Sequence, residues 1–258
     1  MPHLVKICGL RTVEAAETAI NAGADLLGVI LVPNKQRTVP TEIGQQISQL
    51  TKSHQKASAN EMLALLSAQE YVDTDDYFVK AKQLVGQKGP YLVGVVQNQP
   101  IDHVFEVAKE IGVDFIQLHG NERLQEYLDY NKQLGHPFGI IPRIVVPRDG
   151  DKFTEFLDTE LLGEDSDLLK YRAHGFIMPL LDSEAGGEGK IIDWELVDQL
   201  RDGRYILAGG LTPYNLKDTV ELGRVIGFDV SGGVEDPNGE KDLDKVKLFV
   251  KNGKSISR

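Results

Sequence analysis

The chain has 258 residues and almost no cysteine, since Cys8 is the only one. A single cysteine excludes an intrachain disulfide framework, and this is typical of proteins from reducing compartments. No apolar run approaches the ~20 residues that a membrane-spanning helix needs. The first residues show neither an apolar signal core nor a small-residue cleavage site. These absences predict a cytoplasmic protein without a membrane partner.

Basic residues are outnumbered by acidic ones, with 28 Lys and Arg against 39 Asp and Glu, so the formal net charge is -11 and the pI is about 5.0. An acidic chain without a basic cluster argues against nucleic acid as a partner. The six histidines show no metal-ligand spacing, and there is no P-loop, so no metal or nucleotide site is predicted. An anionic substrate would have to be held by local groups, because the overall field repels it.

What the chain does contain is a repeated pattern. Three stretches, 19–31, 108–120 and 220–233, each combine the end of a helical pattern, a glycine and an apolar run. A glycine after a helix supplies the left-handed C′ position, and the apolar run then predicts a strand. Continuous apolar strands alternating with helices indicate a parallel sheet covered by helices.

Extending this pattern along the chain predicts eight strands, at 4–8, 26–31, 91–96, 115–119, 139–146, 175–182, 205–209 and 225–231. Helices are predicted at 12–20, 41–50, 101–111, 121–134, 193–200, 212–222 and 242–252.

Eight strand–helix units in a chain of this length predict a (β/α)8 TIM barrel, which typically takes ~250 residues. A doubly wound open sheet is the alternative, but the glycine fingerprint expected after its first strand is missing. We expect one barrel domain over 1–258 with two surface insertions. Residues 53–88 are polar with one helical patch at 61–66, and residues 158–174 are acidic.

Reactive and small residues collect where the predicted strands end. In such barrels the active site lies at the carboxyl ends of the strands. The candidate substrate-binding residues at this rim are Lys6, Arg37, His119, Gly209, Gly210, Ser231, Gly232 and Gly233. Glycine pairs after strands seven and eight let backbone N–H groups approach a ligand, at the recurring phosphate site of this fold. A phosphorylated small molecule is therefore the predicted ligand.

Cys8 and Asp182 are the candidate catalytic residues at the same rim. Cys8 has a simple interpretation as a small buried residue, but beside Lys6 it could act as a nucleophile or a general base. Asp182 could cap the turn that follows, or act as an acid under the glycine-rich segment 184–189, which we expect to be a mobile lid.

Six motifs together resemble the phosphoribosylanthranilate isomerase family, and most closely its fungal single-function members. They are VKICGL at 5–10, NKQRTV at 34–39, QLHGNE at 117–122, LLDSEAGGEGKIIDW at 180–194, LAGGLTPYN at 207–215 and DVSGGVE at 229–235. The resemblance implies an Amadori rearrangement in tryptophan biosynthesis that converts N-(5-phosphoribosyl)anthranilate into 1-(2-carboxyphenylamino)-1-deoxyribulose 5-phosphate without a cofactor.

The resemblance also implies roles for individual residues. Cys8 would be the general base and Asp182 the general acid, Arg37 would meet the anthranilate carboxylate, and backbone N–H groups around Gly209, Gly210, Ser231 and Gly232 would hold the phosphate. The chemistry then requires a raised pKa for Asp182, by burial and lid closure, and a lowered pKa for Cys8, by Lys6 or local dipoles. We expect a monomer.

Two alternatives stay open on the sequence alone. One is another phosphosugar barrel enzyme, either an epimerase or an indole-glycerol-phosphate-type lyase. The chain lacks the paired Asp and metal-binding His residues of the first and offers only Lys6 toward the Lys–Glu pair of the second. The other alternative is a non-catalytic phosphosugar-binding module, which would need neither Cys8 nor Asp182.

Overall fold

Parallel strands close into a barrel with the helices outside it in the computed structural model. The structure describes residues 1–146, 148–149, 175–183, 197 and 203–256. The strands pair in sequence order and close through β1 and β8. They are β1 Leu4–Ile7, β2 Leu26–Ile30, β3 Tyr91–Val96, β4 Phe115–Leu118, β5 Gly139–Val146, β6 Leu180–Ser183, β7 Tyr205–Leu207 and β8 Val225–Val230. The predicted TIM barrel is confirmed, and β3 and β5 have the predicted bounds.

The helices of the described ranges alternate with the strands. They are α1 Val13–Ala22, α2 Thr41–His54, α3 Ala59–Ser67, α4 Thr74–Lys88, α5 Ile101–Ile111, α6 Leu124–Gln133 and α7 Leu243–Ser255. None of these is long and apolar enough to cross a bilayer. Thr12, the first residue of the predicted helix 12–20, caps α1, and its side chain accepts from the amide of Ala15.

The repeated helix–glycine–strand pattern has a structural cause. Gly23 and Gly112 end α1 and α5 in the left-handed conformation, with φ of 98° and 82°. Two residues after each glycine, an aspartate accepts a hydrogen bond from the amide of the second residue of the preceding strand. Asp25 accepts from Val5 at 2.7 Å, and Asp114 accepts from Leu92 at 2.8 Å. These aspartates therefore join neighbouring strands at the amino end of the barrel.

The third copy of the pattern differs from its prediction, because residues 212–222 form no α-helix. Only a 3-10 turn at Leu216–Thr219 is present. Asn215 explains the difference, since its side chain accepts from the amide of Thr212 and donates to the carbonyl of Gly210. Such local side-chain bonds compete with a helical backbone.

The segment 53–88 is also more ordered than predicted. It contains α3, which begins with a capping box between Ser58 and Glu61, and α4, which buries five side chains. Those of α4 are Tyr77, Phe78, Ala81, Leu84 and Val85. The expectation of a polar surface insertion with one helical patch is wrong for α4. The apolar spacing of 77, 78, 81, 84 and 85 is the helical signal that predicts it.

The α4 helix lies across the amino end of the barrel. The backbone amide of Ile177, just before β6, donates to the Tyr77 hydroxyl at 3.0 Å. Arg224, just before β8, pairs with Asp75 at 3.2 Å. Gly86 lies beside Leu4 and Asp25, at the starts of β1 and β2. The α4 helix therefore packs against the starts of several strands, at the end of the barrel opposite the cavity that the strand-end residues line.

Three sequence predictions lie outside the described residues. These are the insertion 158–174, the glycine-rich segment 184–189, and all of the predicted helix 193–200 except Val197.

Candidate active site at the carboxyl ends of the strands

A cavity of about 440 Å³ opens at the carboxyl end of the barrel. Its lining includes every predicted site residue except Lys6: Cys8, Arg37, His119, Asp182, Gly209, Gly210, Ser231, Gly232 and Gly233. The structure therefore brings together side chains that are up to about 220 residues apart in the chain, because the carboxyl ends of parallel barrel strands meet at one rim. Gln117 and Asp229 line the same cavity.

Cys8 follows β1 directly and is 5% exposed. Its amide donates to the carbonyl of Val230 at 2.8 Å, which ties it to the end of β8. A side chain at Gly28 would collide with it, since a Cβ there would lie 2.7 Å from the Cys8 sulfur and 3.0 Å from its Cα. Gly28 therefore makes room for Cys8. Gly28 is not among the predicted site residues, although a glycine inside an apolar strand often marks a close approach.

Lys6 lies beneath the cavity and is fully buried. Its Nζ atom is 2.7 Å from Oδ1 of Asp229, and it also interacts with the Cys8 side chain. Burial lowers the pKa of Lys6, but Asp229 and Cys8 outweigh burial and the net pKa is raised. Lys6 is thus a buried cation that is already paired with Asp229. Unlike the other predicted site residues, it does not line the cavity.

The pKa of Cys8 moves opposite to the prediction. Burial raises the pKa of the Cys8 thiol, while Lys6 and Lys241 oppose that rise. Asp229 adds to the rise because its negative charge disfavours a thiolate. The expected net lowering is wrong because the sequence shows neither the depth of burial nor the carboxylate that compensates Lys6.

Asp182 lies in β6, near the carboxyl end of that strand, and it is 3% exposed. Its Oδ1 atom accepts from the amide of Ser183 at 2.8 Å, and its Oδ2 atom accepts from Nε of Arg143 at 2.9 Å. Burial raises the pKa of Asp182 and Arg143 opposes the rise. The upward direction predicted from burial is confirmed, whereas the lid segment 184–189 lies outside the described residues.

His119 and Gln117 form the β4 part of the rim. Burial, with help from Arg143 and Lys6, lowers the pKa of His119 to about 3. The imidazole is therefore neutral near pH 7. Gln117 is 2% exposed, and within the described ranges its Oε1 atom has no hydrogen-bond partner. A neutral ring and an amide oxygen without a partner are suited to hydrogen bonds with ligand hydroxyl groups.

Arg37 is held at the rim by a carboxylate that the sequence analysis missed. Its Nε and Nη2 atoms donate to the two oxygens of Glu235 at 2.7 and 2.8 Å. Lys241 donates to the same carboxylate at 2.8 Å and to the carbonyl of Ser231 at 2.9 Å. Glu235 thus gathers two cations beside the loop after β8. The motif DVSGGVE, which ends at Glu235, is the signal that could have identified it.

The glycine-rich loops after β7 and β8 pack against each other. Gly209 and Gly210 have φ of 86° and 68°, which disfavours other residues. A Cβ on Gly233 would lie 1.9 Å from the carbonyl oxygen of Leu211, so only glycine fits there. The loop after β8 continues as a three-residue 3-10 turn, Gly232–Val234. An anion bound here would therefore meet backbone N–H groups of the loops after β7 and β8.

Comparisons with known proteins decide the family. A sequence model described as N-(5'phosphoribosyl)anthranilate (PRA) isomerase matches residues 47–252. The chain belongs to this isomerase family. It is 44% identical to the N-(5'-phosphoribosyl)anthranilate isomerase of Candida albicans, covering 98% of this chain and 99% of that protein. It is 40% identical to the isomerase of Saccharomyces cerevisiae, covering 97% and 94%.

The fold of a solved family member agrees. A crystal structure of phosphoribosyl anthranilate isomerase in complex with reduced 1-(o-carboxyphenylamino)-1-deoxyribulose 5-phosphate superimposes with a TM-score of 0.66. The two chains are 24% identical, and the match covers 98% of this chain and 100% of that one. This likeness concerns the fold.

Family membership confirms the resemblance to fungal single-function isomerases, and it makes the chain an isomerase of tryptophan biosynthesis. The two alternatives left open by the sequence, a different phosphosugar barrel enzyme and a non-catalytic binding module, are set aside.

Proposed function

We propose that this isomerase converts N-(5-phosphoribosyl)anthranilate into 1-(2-carboxyphenylamino)-1-deoxyribulose 5-phosphate with Asp182 as general acid and Cys8 as general base. The observation that carries the assignment is that both residues line one cavity, at the ends of β6 and β1. Each side chain is nearly buried yet borders the space that a substrate would fill. General acid and base groups must reach the reacting atoms directly or through one water.

The reaction starts with opening of the ribose ring. The Asp182 carboxylic acid donates its proton to the ring oxygen, the bond between that oxygen and C1′ breaks, and the nitrogen lone pair forms an iminium ion. The raised pKa of Asp182 favours the protonated acid that this step needs. Burial supplies the rise, since a desolvated carboxylate is less stable than in water.

The second step removes the proton on C2′. The iminium ion makes this proton acidic, the Cys8 thiolate takes it, and an enolamine forms. The enolamine then becomes the ketone by gaining a proton at C1′ and losing one from its hydroxyl group. The cycle closes when Cys8 loses its proton and Asp182 gains one. Electrons move only within the substrate.

Burial makes the thiolate costly, and three positive charges offset that cost. Lys6 and Lys241 both lower the pKa of Cys8 against the effect of burial. The iminium ion adds a third positive charge when the base is needed. We infer that proton abstraction is favoured mainly after ring opening, because an opposite charge nearby stabilises a thiolate.

The remaining rim residues bind the two ends of the substrate in this proposal. Arg37, fixed by Glu235, meets the anthranilate carboxylate, since a guanidinium suits a carboxylate in a planar arrangement. Backbone N–H groups around Gly209, Gly210, Ser231 and Gly232 hold the phosphate, supported by the positive φ angles after β7. The solved relative was crystallised with reduced 1-(o-carboxyphenylamino)-1-deoxyribulose 5-phosphate, and this supports a phosphorylated ligand.

The test uses substrate formed in situ and its anthranilate fluorescence. We expect C8S and D182N each to lower kcat by ~10²-fold or more while the variants stay folded. D129N is the matched control, because Asp129 is an exposed carboxylate on α6 whose partner is Gln125. Near-normal kcat in either C8S or D182N would remove that residue from its role.

The domain extent, assembly and location remain proposals of the same kind. We propose one barrel domain over 1–258 that acts as a cytoplasmic monomer on a small phosphorylated molecule. Sedimentation of the purified chain at micromolar concentration would test the monomer, and a dimer mass would contradict it.

A further inference from the structure

Arg143 connects three backbone and side-chain groups at the rim without lining the cavity. It lies on β5, and its side chain is 10% exposed. Its Nε donates to Oδ2 of Asp182 at 2.9 Å, its Nη1 to the carbonyl of His119 at 3.2 Å, and its Nη2 to the carbonyl of Ser183 at 2.8 Å. One guanidinium thus links the ends of β4 and β6.

These contacts leave the Asp182 carboxyl group little freedom. Its Oδ2 atom is held by Arg143 and its Oδ1 atom by the amide of Ser183. The carbonyl of Ser183, bound to the same guanidinium, fixes the backbone beside it. Because a misplacement of ~1 Å can cost ~10²-fold in rate, such a frame has catalytic consequences.

The charges around Asp182 come from several strands. Arg143 on β5 and Asp229 on β8 act on it directly, and Lys6, Cys8 and His119 lie in the same cluster from β1 and β4. Arg143 opposes the rise that burial and Asp229 cause in the pKa of Asp182. The same cation helps burial to lower the pKa of His119, which keeps that ring neutral.

We propose that Arg143 is a positioning residue that holds the Asp182 carboxyl group in the orientation for proton transfer. The inference rests on the proposed role of Asp182 as general acid. A lysine cannot replace the three separate contacts, since it presents one compact charge where the guanidinium presents a planar fork.

The first experiment compares R143M and R143K with wild type. We expect R143M to lower kcat by ~10- to 100-fold with KM changed by less than ~3-fold, because Arg143 acts through Asp182 and not on the substrate. R143K is expected to fall between the two. In the plot of kcat/KM against pH, we expect the limb that reports ionisation of Asp182 to move to higher pH in R143M. The reason is that R143M removes a cation that stabilises the Asp182 carboxylate.

A matched control comes from the opposite end of the barrel. Arg224 also binds one carboxylate, that of Asp75, and one carbonyl, that of Gly203. R224M removes a comparable set of contacts away from the cavity, so it should lose stability without a change in kcat or in the pH profile. If R143M and R224M behave alike, Arg143 has only a structural role and the proposal is overturned.

A double variant shows whether Arg143 acts through Asp182. We expect R143M/D182N to be about as slow as D182N alone, since the carboxyl group that Arg143 holds is no longer an acid. Independent, multiplicative losses would overturn the proposal. If D182N itself keeps wild-type kcat, the proposed acid is wrong, and this outcome is distinct from an active R143M beside an inactive D182N. If R143M does not fold, the test rests on R143K. The proposal is then overturned if R143K keeps the wild-type kcat and if its plot of kcat/KM against pH is unshifted.

Discussion

Asp114 predicts a measurable dependence of stability on pH. This carboxylate at the amino end of the barrel is 5% exposed. Its Oδ2 atom accepts from both the amide of Leu92 and the side-chain amide of Gln55, each at 2.8 Å. Burial nonetheless raises the pKa of Asp114 from 3.8 to about 6. The hydrogen bonds and the charge of Lys52 only partly offset the lost hydration.

The sign and size of the effect follow from linkage. The folded state binds the Asp114 proton more tightly than the unfolded state does, so the contribution of Asp114 to the free energy of unfolding is greatest below pH 3.8. It falls as the pH rises toward about 6 and stays lower above that. At ~1.4 kcal/mol for each pKa unit, ionisation of Asp114 costs ~3 kcal/mol.

The substitution D114N isolates this contribution. The amide oxygen of Asn can accept from Leu92 and Gln55 just as Oδ2 does, but the amide does not titrate. Urea unfolding of wild type and D114N at several pH values between 4 and 7.5 gives the difference in unfolding free energy. Relative to D114N, wild type should lose ~2.5 kcal/mol across that range, because about half of the unfolded-state carboxyl groups are already ionised at pH 4. A difference that stays constant with pH, or that grows in favour of wild type, would refute the reasoning.

The other predictions concern α4 and the loop after β8. Y77F should lower the free energy of unfolding by ~1–3 kcal/mol and leave KM unchanged, because the buried amide of Ile177 loses its acceptor far from the cavity. Urea unfolding checks this, and a loss below ~0.5 kcal/mol contradicts it. G233A should raise KM for the phosphorylated substrate by ~10-fold or more, since a Cβ would strike the Leu211 carbonyl and separate the two glycine loops. Steady-state kinetics measure this, and an unchanged KM would show that these loops do not hold the phosphate.

The barrel was predictable because its signals are local. Apolar runs, helix-ending glycines and the Thr12 cap act over a few residues, and they predict all eight strands in the right order. The bounds of the sixth are wrong, because β6 begins at Leu180, five residues after the predicted start at 175. The rim could be predicted as well, since parallel strands in a closed barrel must bring their carboxyl ends together. Cys8 and Asp182 therefore line one cavity, as expected from their places at strand ends.

Two helix predictions were wrong for different reasons. At 212–222 side-chain hydrogen bonds compete with the helix, and in α4 a helical pattern was overlooked. At 212–222 the side chain of Asn215 binds nearby backbone groups and replaces the predicted helix by a short 3-10 turn. In α4 the apolar spacing was present in the sequence, but its position over the amino end of the barrel depends on strands that lie far apart in the chain.

The sequence by itself determined the order of strands and helices, the residues at each strand end and the family. Only the tertiary structure decided which partners those residues meet. Arg143 reaches Asp182 from 39 positions away, and Glu235 reaches Arg37 from 198 positions away. The tertiary structure also decides the pKa of Cys8, since burial and the Lys6–Asp229 pair set it together. The reason is physical: propensity and periodicity act between neighbours in sequence, whereas burial and charge pairing depend on neighbours in space.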